Sequence, residues 1–262
     1  MTLLQIAVTL AGGGLVGFVL GLVGGGGSIL AVPMLLYGVG LASPHMAIGT
    51  SAVAVAINAL GNLWAAARQQ LVKWPCAMTF SAAGLSGSLA GSHLALLVPG
   101  QKLMALFGAL MVVIAIAMLL RRGREGNPDV RLTRATARLM LPRLLALGFS
   151  TGSLAGFFGI GGGFLIVPGL MLATGMTISN AIATSLVGIT AFGAATAATY
   201  AWAGEVDWPL AALFVLGSFG GSFLGQMAAR PLRNHRAHLQ SLFAGFVLVI
   251  GCYTIYKGLA AV

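Results

Sequence analysis

Charge is scarce in this 262-residue chain, which has 14 lysine and arginine residues and only 4 acidic residues. A folded domain that faces water on every side needs far more polar surface than this. Cysteine is equally scarce: Cys76 and Cys252 lie far apart, without the spacing of a disulfide framework or a metal site. The small number of charged residues in so apolar a chain excludes a cytosolic enzyme, a nucleic-acid-binding protein and a disordered chain.

Most of the chain consists of apolar residues and glycine. Hydrophobic residues make up 58% of the chain, and a further 39 residues are glycine. Long runs such as 103–120 contain no charge, whereas strands of a membrane barrel alternate apolar and polar residues. A helix needs about 20 residues to cross the hydrocarbon of a lipid bilayer, so the sequence predicts an all-α, polytopic membrane protein of about 8–10 membrane segments.

The chain contains an internal repeat. Residues 17–40 align without a gap on residues 152–175, with ten identical positions, and Trp74-Pro75 later matches Trp208-Pro209 in one register. Each half is predicted to hold a glycine-broken pair of short helices followed by three spans. The predicted segments are about 4–23, 28–40, 45–67, 75–97 and 102–120 in the first half, and about 143–159, 163–175, 178–203, 208–229 and 236–257 in the second.

An arginine-rich stretch separates the two halves. The sequence divides into a first membrane repeat (1–120), a basic hinge (121–142) and a second membrane repeat (143–262). Because basic residues collect in cytoplasmic loops, the hinge is predicted to be cytoplasmic. An odd number of crossings per half then places 12 basic residues inside and 2 outside, against 10 and 4 for an even number. The charge distribution therefore favours inverted repeats with both termini outside.

Two glycine-rich breaks, at 24–27 and 159–163, interrupt apolar sequence at matching positions of the halves. Glycine is costly inside a helix, and non-helical backbone at membrane depth persists only where it is buried or lines a wet cavity. Short, interrupted segments at equivalent positions indicate the binding site of a transporter. The free N–H groups and positive dipole end of the following half-helix suit an anion. Alternatively, these glycines only allow helices to pack closely.

Hydroxyl and amide side chains follow each break. The pair Thr50-Ser51 and its equivalent Thr184-Ser185 could donate hydrogen bonds to an oxyanion, or bond back to their own helices. Asn58 could line the cavity or tie helices together. The predicted substrate-binding residues are Gly24, Gly25, Gly26, Gly27, Ser28, Thr50, Ser51, Asn58, Gly161, Gly162, Gly163, Thr184 and Ser185.

Groups that support catalysis or metal binding are missing from the predicted spans. All four acidic residues fall in loops, and His93 is the only ionisable group well inside a span. The sequence offers no nucleophile–base pair and no phosphate-binding loop, so we expect no catalytic residues, no metal site and no cofactor.

These residues resemble the sulfite exporter TauE/SafE family. The likeness rests on GLVGGGGSILAVP followed by AIGTSAVAVAIN in the first half, and on GFFGIGGGFLIVP followed by AIATSLVGIT in the second. The Trp-Pro pairs ahead of GLSGSLAG and GSFGGSFLG extend it over nearly the whole chain outside the hinge. The resemblance implies a multi-pass permease of the bacterial inner (plasma) membrane that moves sulfite, sulfoacetate or another organosulfonate.

The expected partners are therefore a small sulfur-containing anion and the lipid bilayer, with no nucleic acid. Because no predicted span contains a lysine or arginine in its interior, hydroxyls and backbone N–H groups would have to hold the anion. A secondary transporter with alternating access is the first hypothesis. An anion channel of the same architecture is the alternative, because a channel needs no coupling residue. The sequence leaves the direction of transport, the driving ion and the oligomeric state open.

Overall fold

The structure, a computed structural model, describes residues 3–23, 25–120, 127, 130, 134–229 and 236–260. Within these ranges the chain is almost entirely helical and contains no strand longer than an isolated bridge. The α-helices are α1 (Leu3–Val23), α2 (Ala31–Pro33), α3 (Pro44–Arg68), α4 (Trp74–Leu96), α5 (Gly100–Leu120), α6 (Arg134–Phe158), α7 (Gly163–Thr174), α8 (Ile178–Trp202), α9 (Trp208–Ala229) and α10 (Arg236–Ala260).

The short α2 is flanked by two other helical turns. A 3₁₀ turn (Gly25–Leu30) precedes it and a π turn (Met34–Gly38) follows it. The segment from 25 to 38 corresponds to the short helix that the sequence predicts at about 28–40, but three different kinds of helical turn build it. Its partner in the second half, α7, is a single helix of 12 residues with Pro168 inside it.

Equivalent helices of the two halves begin with the same local signals. Ser43 precedes α3, and its hydroxyl accepts a hydrogen bond from the Met46 amide at 3.4 Å. Thr177 does the same for α8 through the Asn180 amide, also at 3.4 Å. Such caps satisfy amides that have no acceptor in the first turn of a helix. The loops before these helices therefore fold alike in both halves.

Five described helices are long and apolar enough to cross a membrane: α1, α3, α5, α8 and α9. Three others have comparable lengths, since α4 has 23 residues and α6 and α10 have 25 each. Each of these three packs along a candidate span or along another member of the group. The predicted all-helical, multi-span fold is confirmed.

Glycine brings two pairs of helices into backbone contact. On α1, Gly13 and Gly17 face Phe214 and Ser218 of α9 in the same order along the chain, so the two helices run parallel. The pair α4 and α6 repeats this arrangement with glycines of α6 against α4. Helices this close depend on residues without a side chain, as expected for packing between membrane helices. The first helix of each half thus packs against a helix of the other half.

Equivalent helices of the two halves pack against one another in opposite directions. In the α3–α8 pair, a Cβ on Gly49 would lie 2.8 Å from Tyr200, whereas one on Gly193 would lie 3.1 Å from Ala56. The start of α3 therefore meets the end of α8. The α5–α10 pair runs antiparallel as well, because Gly258 meets Ala105 while Gly251 meets Met111.

The chain direction defines two faces of the bundle. Gly100, at the start of α5, lies against Pro44, at the start of α3, so these helices end on the same side. We call this side the hinge face, because the basic hinge follows α5. Its residues 121–126, 128–129 and 131–133 lie outside the described part, but Asn127 pairs with the end of α7, donating its amide to the Gly175 carbonyl at 2.9 Å. The start of α1 and the end of α10 lie on the opposite face.

Candidate substrate-binding site

The second glycine break is a left-handed turn between α6 and α7. Gly159, Gly161 and Gly162 have φ values of +66°, +60° and +71°. Residues with a Cβ rarely adopt this region, so the turn depends on glycine at these three positions. Ile160, between them, is fully buried, and its amide donates back to the Ala155 carbonyl at 3.2 Å. The turn lets the chain reverse tightly inside the helical bundle.

Backbone donors converge at the start of α7. The amides of Leu165 and Ile166 both donate to the Gly162 carbonyl, at 2.9 and 2.8 Å. Within the described ranges, the amides of Gly161, Gly162 and Gly163 have no hydrogen-bond acceptor. Unsatisfied amides and the positive end of a helix dipole make a suitable environment for an anion. The three predicted glycine ligands of the second half therefore lie together at the N-terminus of α7.

The first glycine break has a different backbone. Gly25 and Gly26 open the 3₁₀ turn, and Gly27 packs on α1, where a Cβ would lie 2.5 Å from the Leu20 nitrogen. None of these three glycines has a positive φ, and Ser28 is fully buried behind them. Gly24 lies outside the described residues. The two similar glycine blocks thus fold in two ways, and among their described residues left-handed backbone occurs at the second break alone.

The second break lies at the crossing of α3 and α8. A Cβ on Gly161 would lie 2.7 Å from Val55 of α3 and 3.2 Å from Ile189 of α8. Val55 and Ile189 occupy equivalent positions in the repeat. The 3₁₀ turn of the first half packs against α7 at the same level. Both breaks therefore meet at the middle of the bundle, where the two halves cross.

A small cavity lies beside this crossing, between α1, α3 and α9. Its volume is about 10 Å³, and its polar lining comes from Asn58 and Ser218. That space holds about one water molecule and no larger ligand. A wider cleft of about 260 Å³ between α3 and α8 is lined almost entirely by apolar side chains, so it offers an anion few donors. Neither of these two spaces therefore offers an anion a cavity of its own size lined by donors.

Thr50 and Thr184 each bond to the residue that precedes a helix of the other half. Thr50 Oγ1 accepts a hydrogen bond from the Asp207 amide at 3.0 Å, and Thr184 Oγ1 accepts one from the Lys73 amide at 3.1 Å. Asp207 and Lys73 immediately precede α9 and α4 and are equivalent in the repeat. Because α3 and α8 are antiparallel, these two hydrogen bonds lie at opposite ends of the pair.

The serine pair bonds within its own helices. Ser51 donates to the Ile48 carbonyl at 2.9 Å, and Ser185 donates to the Ile182 carbonyl at 2.8 Å. This is the usual fate of a hydroxyl in an apolar helix. Ser51 and Ser185 are buried like the threonines before them. In this conformation, the structure brings together the second-half glycines and Asn58 near the crossing but does not gather all four hydroxyls there.

We expect Thr50→Val and Thr184→Val each to lower the thermal stability of the protein in detergent. Each change leaves a loop amide without its acceptor, at a cost of about 1–3 kcal/mol if the amide stays buried. Thr50→Ser, which keeps an acceptor oxygen, should restore most of the loss. Thr79→Val is the matched control, because Thr79 is half-buried and bonds only to its own helix, at the Pro75 carbonyl. A stable Thr50→Val protein that no longer transports would instead assign the hydroxyl to the substrate.

A second polar cluster, which the sequence analysis did not single out, lies between α4 and α8. Ser88 donates to the Phe192 carbonyl at 3.1 Å and lies 3.2 Å from the Thr196 hydroxyl. Ser92 donates to Thr199 at 3.0 Å. The four-residue spacing of Ser88 and Ser92 was the available signal, but it became meaningful only when α8 was placed opposite. The cluster ties two helices together inside the bundle.

Comparison with known proteins agrees with this architecture. The sequence profile described as Sulfite exporter TauE/SafE matches residues 9–254. The chain belongs to this family. As a TauE/SafE family protein, it is a multi-pass membrane transporter, which confirms the resemblance noted in the sequence.

Relatives of this TauE/SafE protein span bacteria and an archaeon. A probable membrane transporter protein of Xylella fastidiosa (strain 9a5c) is 44% identical, covering 100% of this chain and 99% of its own length. The probable membrane transporter protein YunE of Bacillus subtilis is 26% identical over 91% of this chain and 93% of its own. A probable membrane transporter protein of Methanocaldococcus jannaschii is 26% identical over 92% of this chain and 93% of its own length. No solved structure matches the chain significantly.

Proposed function

We propose that this protein is a secondary transporter that moves small sulfur-containing anions, such as sulfite, sulfoacetate or another organosulfonate, by alternating access. Membership of the sulfite exporter TauE/SafE family supports the substrate class. We further propose the bacterial inner membrane as its location, with the hinge 121–142 in the cytoplasm. The arginine content of the hinge supports that orientation.

The observation that carries the proposal is the row of amides at the second glycine break. Gly161 lies at the α3–α8 crossing, and Gly162 and Gly163 follow it into the N-terminus of α7, with amides that have no acceptor among the described residues. Neither α7 nor α8 contains a lysine or arginine, and α3 has only Arg68, at its end. A sulfonate or sulfite group has several acceptor oxygens and a charge that the dipole of α7 favours. Asn58 supplies a side-chain amide nearby. The anion would thus be held by dipoles and not by an opposite charge.

The helix arrangement supports alternating access. The antiparallel packing of α3 with α8 and of α5 with α10 is the relation expected between inverted repeats. Transporters built in this way hold substrate where the repeats meet and open alternately to the two faces. The cavity of about 10 Å³ at Asn58 is too small for an anion, which supports a carrier that opens to admit its substrate over a channel with a continuous path. The names of the relatives also favour a transporter.

Uptake into proteoliposomes tests the proposed substrate class. We expect saturable uptake of labelled sulfite or sulfoacetate, inhibited by other organosulfonates but not by a carboxylate of similar size. The control is the Gly245→Ala variant, because a Cβ on Gly245 of α10 would meet nothing within 4 Å. The control should match the wild type. Uptake of neither sulfur anion, from a protein that binds another solute, would contradict the proposed substrate.

A further inference from the structure

A chain of hydrogen-bonded amides runs from the hinge face into the bundle. Gln226 Nε2 of α9 donates to Asn62 Oδ1 of α3 at 2.9 Å, and Asn62 Nδ2 donates to Asn58 Oδ1 at 3.1 Å. We call these three residues the amide track. The residues lie near the ends of α3 and α9, so the track begins at the hinge face. Each member bonds to the next, which makes one continuous polar line.

The neighbouring Ser222 fixes the direction of the track. Its hydroxyl donates to Asn62 Oδ1 at 3.2 Å and accepts from Gln226 Nε2 at 3.4 Å. Asn62 Oδ1 is therefore the acceptor of two bonds, and the nitrogen of Asn62 must point inward to Asn58. Asn58 in turn uses its oxygen as the acceptor. The nitrogen of Asn58, with its two donors, is left at the inner end.

Exposure decreases steadily along the track. The Gln226 side chain is exposed and Asn62 is half-buried, whereas Asn58 is only 4% exposed. Asn58 also lines the small cavity between α1, α3 and α9. Among the described residues, none accepts a hydrogen bond from its Nδ2 atom. The track therefore leads from the outside of the bundle to a donor group in a cavity next to the substrate site.

The repeat-equivalent positions on α8 and α4 form no such track. Phe192 stands in place of Asn58, is fully buried and stacks on Phe80 with the ring centres 6.5 Å apart. Thr196 and Ser92 stand in place of Asn62 and Gln226, and both are fully buried in the α4–α8 cluster. At the positions equivalent to the track, the buried rings of Phe192 and Phe80 thus occupy the space next to the opposite face.

We propose that the amide track is the path by which the substrate anion reaches its site from the hinge face, and that Asn58 Nδ2 is the donor that receives it. This inference rests on the proposed function for the nature of the anion. Neutral amides can pass an oxyanion from donor to donor without binding it as tightly as an arginine would. Asn62 and Ser222 act as positioning residues, because they orient the amide of Asn58. The molecule is accordingly asymmetric, with a polar path at one face only.

Cysteine accessibility with substrate protection tests the path. In a protein carrying Cys76→Ala and Cys252→Ser, the variants Gln226→Cys and Asn62→Cys would be treated with a membrane-impermeant maleimide. We expect modification from the hinge side alone, slowed severalfold by sulfoacetate, which unlike sulfite does not consume the reagent. Thr196→Cys is the matched control and should remain unmodified. Equal modification of Thr196→Cys, or modification of Gln226→Cys only from the opposite face, would overturn the path.

Transport kinetics test the roles of the individual residues. Asn62→Leu should raise KM at the hinge face about tenfold or more, because Asn58 Nδ2 is then no longer held in place to donate to the charged ligand, while the maximal rate from the opposite face changes little. Thr196→Val, at the equivalent position, should leave both values unchanged. An equal fall in the maximal rate from both faces would assign Asn62 a structural role and reject the path. Protection by nitrate without uptake of any sulfur anion would uphold the path and reject only the proposed substrate class.

Discussion

Alanine at Gly161 is expected to lower transport about 10- to 100-fold while a folded protein remains in the membrane. Gly161 has φ +60°, and a left-handed residue with a Cβ costs about 1–2 kcal/mol. The new methyl group would also lie 2.7 Å from Val55 Cγ1, so the turn must shift. The shift moves the amides that we assign to the anion. Loss of one hydrogen bond to a charged group is worth about 1.5–3 kcal/mol, or about 10- to 100-fold in transport.

The matched control is Gly175→Ala at the other end of α7. Gly175 has φ +72°, so alanine there carries similar backbone strain, but its Cβ would meet nothing within 4 Å. We expect a modest loss of thermal stability and nearly normal uptake. Uptake by reconstituted protein and melting in detergent would be measured for both variants. Equal transport by Gly161→Ala and the wild type would remove the left-handed turn from the binding site.

Gly17→Ala, at the contact between α1 and α9, is expected to lower thermal stability more than Gly175→Ala does. A Cβ at this position would overlap the Ser218 carbonyl oxygen and backbone, which cannot move aside as a flexible side chain would. Overpacking of this kind costs about 1–3 kcal/mol, so Gly17→Ala should lower the melting temperature by several degrees, roughly 5 °C or more. Gly152→Ala should behave alike, because Gly152 meets Gly84 of α4 in the equivalent pair.

The control for this contact is Gly14→Ala, less than one helical turn away. Its Cβ would lie 3.7 Å from the Gly217 oxygen, an ordinary contact, so we expect no loss of stability. Thermal melting in one detergent would compare the three variants directly. If Gly14→Ala and Gly17→Ala have the same melting temperature, Gly17 is not needed for close contact between α1 and α9.

Much of this fold could be predicted from the sequence, because periodic apolar runs and the internal repeat are local signals. The predicted spans about 45–67 and 178–203 correspond to α3 (Pro44–Arg68) and α8 (Ile178–Trp202). The glycine break about 159–163 was located correctly for the same reason. One boundary differs, because α6 begins at Arg134, inside the stretch assigned to the hinge, and continues through Pro142. The start of a basic helix and a basic cytoplasmic loop are both rich in arginine, so composition alone did not show where α6 begins.

The roles of single polar residues were harder to predict, because they depend on which helices meet. Thr50 bonds to Asp207, 157 residues away, and this contact exists only because α3 runs beside the loop before α9. The two glycine blocks are similar in sequence, yet Gly25, Gly26 and Gly27, the described glycines of the first, lack the left-handed backbone that Gly159, Gly161 and Gly162 adopt in the second. Ser222 and Gln226 lie on a helix full of small residues, so their pairing with Asn62 became visible only after α9 was placed beside α3.

Exchange across a sealed membrane is the measurement that tests the central claim most directly. Proteoliposomes loaded with unlabelled sulfoacetate would be diluted into labelled sulfoacetate at low concentration, with empty liposomes as the control. A carrier with alternating access predicts that internal substrate accelerates entry of the label and drives it transiently above equilibrium. Gly161→Ala should lack this overshoot. Flux that does not saturate and is indifferent to internal substrate would contradict the carrier and indicate a channel.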